Sequence, residues 1–423
     1  MAGSRSRVLA WALWDCGSTG LNAIVVTFVF SVYLTRSVGA GVTTSWFGLA
    51  LFGAGVTVAL LAPVTGVWVD TPHRRRRTLG ALTAVLVLLT SAMSLIRDDP
   101  RDLVVGLVLL ALATACSDLA SVPYNSMLRQ LATPESSGRI SGFGWAAGYV
   151  GSMVLLLTVY AFFISGDGPT RGLLEISTAG GLNVRAAMLL TAAWMAVFAL
   201  PLLVFPPPAA DLDAKAPLSG GVLGAYRKVW ADVTAEWHRD RNFVYYLLAS
   251  AVFRDGLIGV FTFGGVLGGT VYGMSAGDVL LFGVTANVVA ALGAVIGGLI
   301  DDRVGSKAVI LTSLASMVVV GATLMALSGP LAFWICGVLL CLFVGPTQSS
   351  ARTLLLRMTG DGKEGVAFGL YAMTGRAATF LAPAMFALFV AVLGSDRAGI
   401  GGLLVVLSAG FAGMLLVTTP QRR

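Results

Sequence analysis

Six charged side chains, Asp15, Asp118, Arg254, Asp255, Arg352 and Arg376, are embedded in long apolar stretches. Asp15, Ser18 and Asn22 are spaced by three and four residues and therefore share one helix face. Asp118, Ser121 and Asn125 repeat that spacing, with Pro123 between them. Arg254 adjoins Asp255, with Thr262 two turns on; Asn287 follows, then Gln348 and Arg352, then Tyr371 and Arg376, with Pro383 beyond. A charge at bilayer depth costs about 3 kcal/mol or more unless it meets a partner or a water-filled cavity. Groups so arranged can grip a polar solute through ion pairs and hydrogen bonds. A carboxyl such as Asp118 or Asp255, with no cation close by, can also take up and release a proton, because desolvation disfavours its charge. The structural alternative is that polar groups glue helices together and that Arg254 and Arg376 neutralise Asp255, Asp118 or Asp15.

A second set of charges lies at the ends of apolar stretches. Gly66-Val67-Trp68-Val69-Asp70 runs through Thr71-Pro72-His73 into Arg74-Arg75-Arg76-Arg77, and apolar sequence then resumes. A matching copy, Gly298-Leu299-Ile300-Asp301-Asp302-Arg303, ends at Lys307. In both, a Gly precedes the Asp by four and basic residues follow. A carboxylate at Asp70 can pair with Arg74 or Arg75 and favour a nearby helix N-terminus. Contacts of that kind hold one conformer and must break in another, so Gly66, Asp70, Arg74, Arg75, Gly298, Asp302 and Arg303 are candidate gating residues. Alternatively, the arginines anchor topology and touch lipid phosphates. Two such hairpins at equivalent places read as an internal duplication.

The elements that must position these groups are membrane helices. Of 423 residues, 57% are hydrophobic and 12% charged, against about 25% charged in soluble domains; the mean hydropathy is +0.85. The apolar blocks reach the ~20 residues that a helix needs to cross a bilayer. Twelve spans are expected, at about 8–34, 44–69, 77–96, 102–129, 140–164, 184–205, 243–272, 276–300, 307–327, 331–357, 364–393 and 399–418. The expected fold is all-α: two pseudo-symmetric six-helix bundles, residues 1–205 and 243–423, joined by a linker, 206–242. That linker opens on Pro206-Pro207-Pro208, passes Asp211, Asp213 and Lys215, and becomes amphipathic near Tyr226-Arg227-Lys228, as a surface helix would. The basic N-terminus leads into a block too long for a signal-peptide core, so it is read as a retained first helix.

Charge sets the orientation. Arg5, Arg7, Arg74 to Arg77, Arg129, Arg139, Arg227, Lys228, Arg303, Lys307, Arg357, Lys363, Arg422 and Arg423 all fall on one face, whereas Asp98, Asp99 and Asp102 cluster on the other. The positive-inside rule then puts both termini and the linker in the cytoplasm. Because the basic residues sit in short inter-helix loops, the net charge of +7 does not indicate nucleic acid. The cysteines, Cys16, Cys116, Cys336 and Cys341, show neither disulfide nor metal spacing. His73 and His238 lie in loops, so no metal site or cofactor is called for. Glycines such as Gly53, Gly55, Gly293, Gly297, Gly401 and Gly402 suit close helix packing in lipid.

The hairpins resemble the signature loop of the major facilitator superfamily, although Thr71-Pro72-His73 replaces the usual Arg and Gly of that pattern. Three stretches are similar to the autophagy-related vacuolar amino-acid effluxers and their bacterial relatives. These are Trp14-Asp15-Cys16-Gly17-Ser18 with Phe28-Val29-Phe30 and Tyr33; Pro123-Tyr124-Asn125-Ser126-Met127-Leu128 with Gly138-Arg139-Ile140-Ser141-Gly142-Phe143-Gly144 and Gly148-Tyr149-Val150-Gly151; and Gln348-Ser349-Ser350-Ala351-Arg352 with Phe368-Gly369-Leu370-Tyr371 and Pro383. Arg376 stands where a Lys is expected. In twelve-helix carriers of this kind helices 1, 4, 7 and 10 line the central cavity, and most of the polar groups fall on those four. The resemblance implies a monomeric carrier of a small solute, with amino acids the attested class in the eukaryotic branch and efflux the direction. Residue usage rich in Ala, Gly, Val and Arg points to a high-GC bacterium and so to the inner membrane.

The competing readings are a cation-coupled sugar symporter and a non-transporting receptor or scaffold. An intramembrane enzyme lacks a Ser/His or paired-carboxylate constellation. No G-x-x-x-x-G-K-[ST] run is present to bind ATP.

Overall fold

The computed structural model describes residues 2–39, 45–208, 221–239 and 241–418. Asp211, Asp213 and Lys215 of the linker, and Arg422 and Arg423, lie outside the described residues. Among the described residues, twelve helices are long and apolar enough to cross a membrane: α1 (Arg5–Val38), α2 (Trp46–Val69), α3 (His73–Leu95), α4 (Pro100–Leu131), α5 (Ser137–Ile164), α6 (Ala179–Val204), α7 (Asn242–Thr270), α8 (Gly277–Val304), α9 (Ser306–Ala326), α10 (Pro330–Met358), α11 (Glu364–Leu393) and α12 (Ala398–Leu416). Their limits fall within a few residues of those read from hydropathy; α1 and α6 are the most extended beyond them. A helix in hydrocarbon satisfies its own backbone, which is why apolar blocks of this length fold no other way. The only sheet among the described residues is a small hairpin, β1 (Thr170–Arg171) with β2 (Ile176–Ser177), in the α5–α6 loop.

Two six-helix bundles, α1–α6 and α7–α12, form the molecule. In each, the third and sixth helices pair on the outside, α3 with α6 and α9 with α12. Their outer faces carry exposed apolar side chains such as Leu88, Val197, Val319 and Leu415, which suit contact with lipid tails. A helix over Gly221–Arg239 precedes α7 and lies against α2. Its Tyr226 hydroxyl donates to the Leu60 carbonyl, and its Lys228 ammonium lies 3.8 Å from Asp70.

The halves meet along two helix pairs, α2 with α11 and α5 with α8. Both crossings use small residues four apart on each helix: Ala62 and Gly66 against Gly365 and Gly369, Gly138 and Gly142 against Ala294 and Gly298. Backbones touch there. A methyl on Gly66 would fall 2.4 Å from the Gly365 carbonyl oxygen, and one on Gly298 would fall 2.5 Å from that of Gly138. The glycines of the duplicated hairpin are thus contact surfaces between the halves.

Helix α11 is broken. One piece ends at Ala378 and the next runs Leu381–Leu393. Pro383 is the third residue of the second piece, where its missing N–H is tolerated, but it cannot bond the Thr379 carbonyl and so stops the first piece from continuing. The first piece packs on α2, and the second packs on α12 and α7 of its own half.

Candidate functional site

Asp118 of α4 and Arg376 of α11 form an ion pair across the two halves. Both lie mid-span, and their side chains are 26% and 29% exposed, so water reaches them between the bundles. Beside them Arg254 of α7 sits over the Tyr371 ring, its guanidinium carbon 3.7 Å from the centroid, and donates to the Tyr371 carbonyl at 2.9 Å. Gly375 makes room for it, since a methyl there would fall 2.8 Å from Arg254 Nη1. One carboxylate and two guanidiniums therefore meet at a hydrated seam. An acid and bases held this way suit a solute that carries charge of both signs.

A second cluster lies closer to the face that bears the N-terminus. Arg352 of α10, buried, crosses into the other half. Its Nε donates to Ser141 Oγ (3.0 Å), Nη2 to the Ser141 carbonyl (2.7 Å) and Nη1 to Asn125 Oδ1 (3.1 Å). Asp15 Oδ2 is 3.8 Å from Nη1. The guanidinium also faces the rings of Trp11 at 4.8 Å, Trp145 at 5.7 Å and Tyr124 at 5.9 Å. Tyr124 is stacked on both Trp11 and Trp14. Desolvating an arginine demands such a set of acceptors and ring faces, and here they come from α1, α4 and α5.

The face bearing the N-terminus is closed by two pseudo-symmetric locks. Asp70 Oδ1 accepts the N–H of Val366 in the first turn of α11 at 3.2 Å. Asp302 Oδ1 accepts the N–H of Gly138 in the first turn of α5 at 2.7 Å, and its Oδ2 accepts that of Arg139 at 3.1 Å. Each carboxylate thus caps a helix of the opposite half, where free N–H groups and the helix dipole favour negative charge. Arg75 is buried and links Val69, Ser126 and Glu364 Oε2, the last at 2.8 Å. Arg129 of α4 binds Glu364 and Asp361 at 3.1 Å each and donates to the Leu356 and Thr359 carbonyls. Its counterpart Arg357, at the end of α10, binds Asp301 at 2.5 Å, Asp302 at 3.5 Å and the Pro134 carbonyl at 3.1 Å.

Several sequence expectations are corrected by this geometry. Asp255 is buried, and its Oδ2 accepts the Ala382 N–H at 2.5 Å; it caps the second piece of α11 instead of facing the seam. Arg254 therefore does not neutralise it. Ser18 is buried and 3.4 Å from the Ser117 hydroxyl, and Asn22 donates to Ser117 at 3.0 Å. These two glue α1 to α4, so of their stripe only Asp15 reaches across. Asn287 accepts from Ser152 at 3.2 Å, joining α8 to α5, and it also lines a mainly apolar cavity among α7, α8, α10 and α12, so its expectation is not corrected. Arg74 stacks on Trp68, 4.4 Å from its centroid, and the cation beside Asp70 is Lys228. Gln348 is half-buried on α10, and Arg303 is exposed in the last turn of α8.

Sequence reasoning did not single out Ser141, Asp301 or Glu364 as site residues, and it treated Lys228, Arg129 and Arg357 as topology signals. One signal was available for the arginines: each ends the fourth helix of its half, so they occupy equivalent places.

Comparison with known proteins agrees with this architecture. A profile described as "Vacuole effluxer Atg22 like" matches residues 15–423. The chain belongs to the vacuole effluxer Atg22-like family. An uncharacterized transporter of the major facilitator type, YxiO of Bacillus subtilis (strain 168), is 20% identical over 97% of this chain and 94% of its own length. Autophagy-related protein 22 of Cryptococcus neoformans (strain B-3501A) is 24% identical over 64% of this chain, which spans about half (51%) of that longer protein. Among solved structures, the fucose:proton symporter of E. coli superposes with a TM-score of 0.75 at 12% identity, covering 99% of both chains. The proton:xylose symporter XylE does so with 0.74 at 14% identity, covering 99% of this chain and 96% of that one. These identities speak for the fold alone. The family member described here is a multi-pass transporter of the major facilitator type.

Proposed function

We propose that this transporter exports a small zwitterionic solute of the amino-acid class by alternating access, with proton coupling at Asp118. The observation that carries this is the hydrated Asp118–Arg376 pair with Arg254 beside it. An incoming zwitterion exchanges one internal ion pair for three external ones: its carboxylate takes Arg376 and Arg254, and its ammonium takes Asp118. An uncharged sugar offers neither and would have to leave these charges paired or desolvated. Asp118 has a cation close by after all, Arg376, so it is suited to the proton only in the step where Arg376 turns to a solute carboxylate and leaves the carboxyl unpaired; Asp255 is buried in a cap.

Both termini lie on the cytoplasmic side in this reading, because Arg74–Arg77, Arg129, Arg139, Arg303 and Lys307 share one face. The closed locks then sit at the cytoplasmic face, so the site opens outward. Return to an inward-open form requires Asp70 and Asp302 to release their helices together.

The test is counterflow of a labelled amino-acid mixture in proteoliposomes, with and without an imposed pH gradient, against a matched sugar panel. Amino-acid exchange that is lost in Asp118→Asn supports the proposal. Sugar counterflow with no amino-acid counterflow overturns the substrate class, and rates indifferent to the gradient overturn the coupling.

A further inference from the structure

We propose that a pocket between α3, α4 and α6 holds the phosphate headgroup of an anionic phospholipid. The pocket lies at the face bearing the N-terminus and is a cavity of about 710 Å³. Its α3 wall is His73, Arg76, Arg77, Gly80 and Ala81, residues spaced by three, four, seven and eight, which a helix presents along one face. Met127 and Gln130 close it from α4, and Leu203 with Pro206 and Pro207 from the end of α6.

Three features select the ligand. The first is unspent positive charge. Of the four consecutive arginines, Arg75 is buried against Glu364 and Arg74 lies on Trp68. Among the described residues, Arg76 and Arg77 are exposed and have no carboxylate within ion-pair distance, and His73 is exposed beside them. The second is depth. His73 opens the span of α3, so the Arg76 and Arg77 guanidiniums stand at the level of lipid phosphates, where basic pockets between helices take up anionic headgroups. The third is the apolar lower half. Gly80, Ala81 and Leu203 line the pocket beneath the charges with apolar atoms only, and α3 and α6 pack closely there, a methyl on Gly80 falling 3.5 Å from Leu203. A free phosphate has no use for that apolar wall, whereas the glycerol and acyl part of a lipid lies against it.

The site is separate from the solute seam and does not rest on what the solute is. The guanidiniums donate to the non-bridging phosphate oxygens, and the amide of Gln130 is placed at the rim. Because Arg75 is the next residue along the chain and bonds Glu364 of the other half, a lipid seated here abuts one of the two locks.

The experiment is native mass spectrometry of the full-length protein in detergent with added dioleoyl phosphatidylglycerol or dioleoyl phosphatidylcholine. The wild type is expected to retain the anionic lipid in preference. Arg76→Gln with Arg77→Gln should weaken that retention roughly 10- to 30-fold, as two lost charges near the surface dictate, and Arg76→Lys with Arg77→Lys should restore most of it. Equal retention of the two lipids overturns the proposal, as does retention of phosphatidylglycerol unchanged in the glutamine variant. Displacement of the lipid by millimolar inorganic phosphate would assign the site to a soluble anion. Retention seen only after Asp211→Asn with Asp213→Asn would assign it to the chain's own linker. Unfolding is checked by the melting temperature, which should match in the Gln and Lys pairs.

Discussion

Asp70 and Val366 belong to opposite halves of the molecule, yet the Asp70 carboxylate accepts the Val366 N–H at 3.2 Å in the first turn of α11. Asp302 repeats the arrangement on α5 through Gly138 and Arg139. The duplicated hairpin is therefore a duplicated clasp. Each Gly lets two backbones meet, and the Asp one turn later caps the helix that it meets.

The first prediction concerns pH. Burial pushes the Asp70 carboxyl up to about 6, with Glu364 adding in the same direction, against the lowering effects of Lys228, the Val366 N–H and Arg75. Opening the face hydrates Asp70 and returns it towards the ordinary value of about 3.9. The closed state thus binds the proton more tightly. Acidification through pH ~6 favours closure, and that proton-linked stabilisation is lost as pH rises through the same value. Asp70→Asn keeps an acceptor for Val366 and removes the charge, so it should hold the face closed at every pH and slow turnover without impairing membrane insertion. Spin-label distances between cysteines placed at Glu135 and Asp361, taken at pH 5 and pH 8, check this. Identical distance distributions in the wild type would refute it.

The glycine crossings carry the second. Gly298→Val places a side chain where a methyl alone would fall 2.5 Å from the Gly138 carbonyl oxygen. Overpacking of this kind costs about 1–3 kcal/mol, and only the closed state bears it. The closed-to-open ratio should fall roughly 5- to 150-fold, visible as faster alkylation of a cysteine introduced at Ser349. Gly53→Val, at a position with nothing within 4 Å, should leave that rate unchanged.

Third, the Asp118–Arg376 pair should tolerate a change of base but not the loss of the acid. Arg376→Lys keeps the charge and should retain substantial counterflow. Asp118→Asn leaves Arg376 and Arg254 without a carboxylate at the seam and should lower counterflow by at least about tenfold, the cost of a charge-assisted bond. Equal loss in both variants would show that geometry, not charge, is what the seam requires.

Fourth, Arg352 is not replaceable by Lys. Its guanidinium makes three hydrogen bonds in three directions and faces three rings, a set that one ammonium cannot reproduce. Arg352→Gln leaves Asp15 without the cation and should destabilise the closed form by about 3–5 kcal/mol. The melting temperature should drop in both variants, more in Gln. In Asp15→Asn with Arg352→Gln the drop should be smaller than in Arg352→Gln alone.

Hydropathy by itself determined the twelve spans and their pairing into two halves, because a helix in hydrocarbon has no alternative way to satisfy its backbone. The duplicated Gly–Asp hairpin was likewise legible, since repetition is a property of the letters. Charges at membrane depth announced that Asp15, Asp118, Arg352 and Arg376 need partners, but the letters are silent about which. Helical spacing put Ser18 and Asn22 on the face of Asp15, and they turned to Ser117 because a helix face about 100° wide meets two neighbours at once. Asp255 looked like a cavity charge beside Arg254, but adjacent residues point about 100° apart on a helix. One met Tyr371 and the other the broken end of α11. Tertiary structure alone decided that Glu364 faces Arg75 across 289 positions of chain, and that Asp70 and Asp302 each cap a helix of the other bundle. Such contacts depend on how two rigid bundles lean together, a relation between distant segments that no local periodicity encodes.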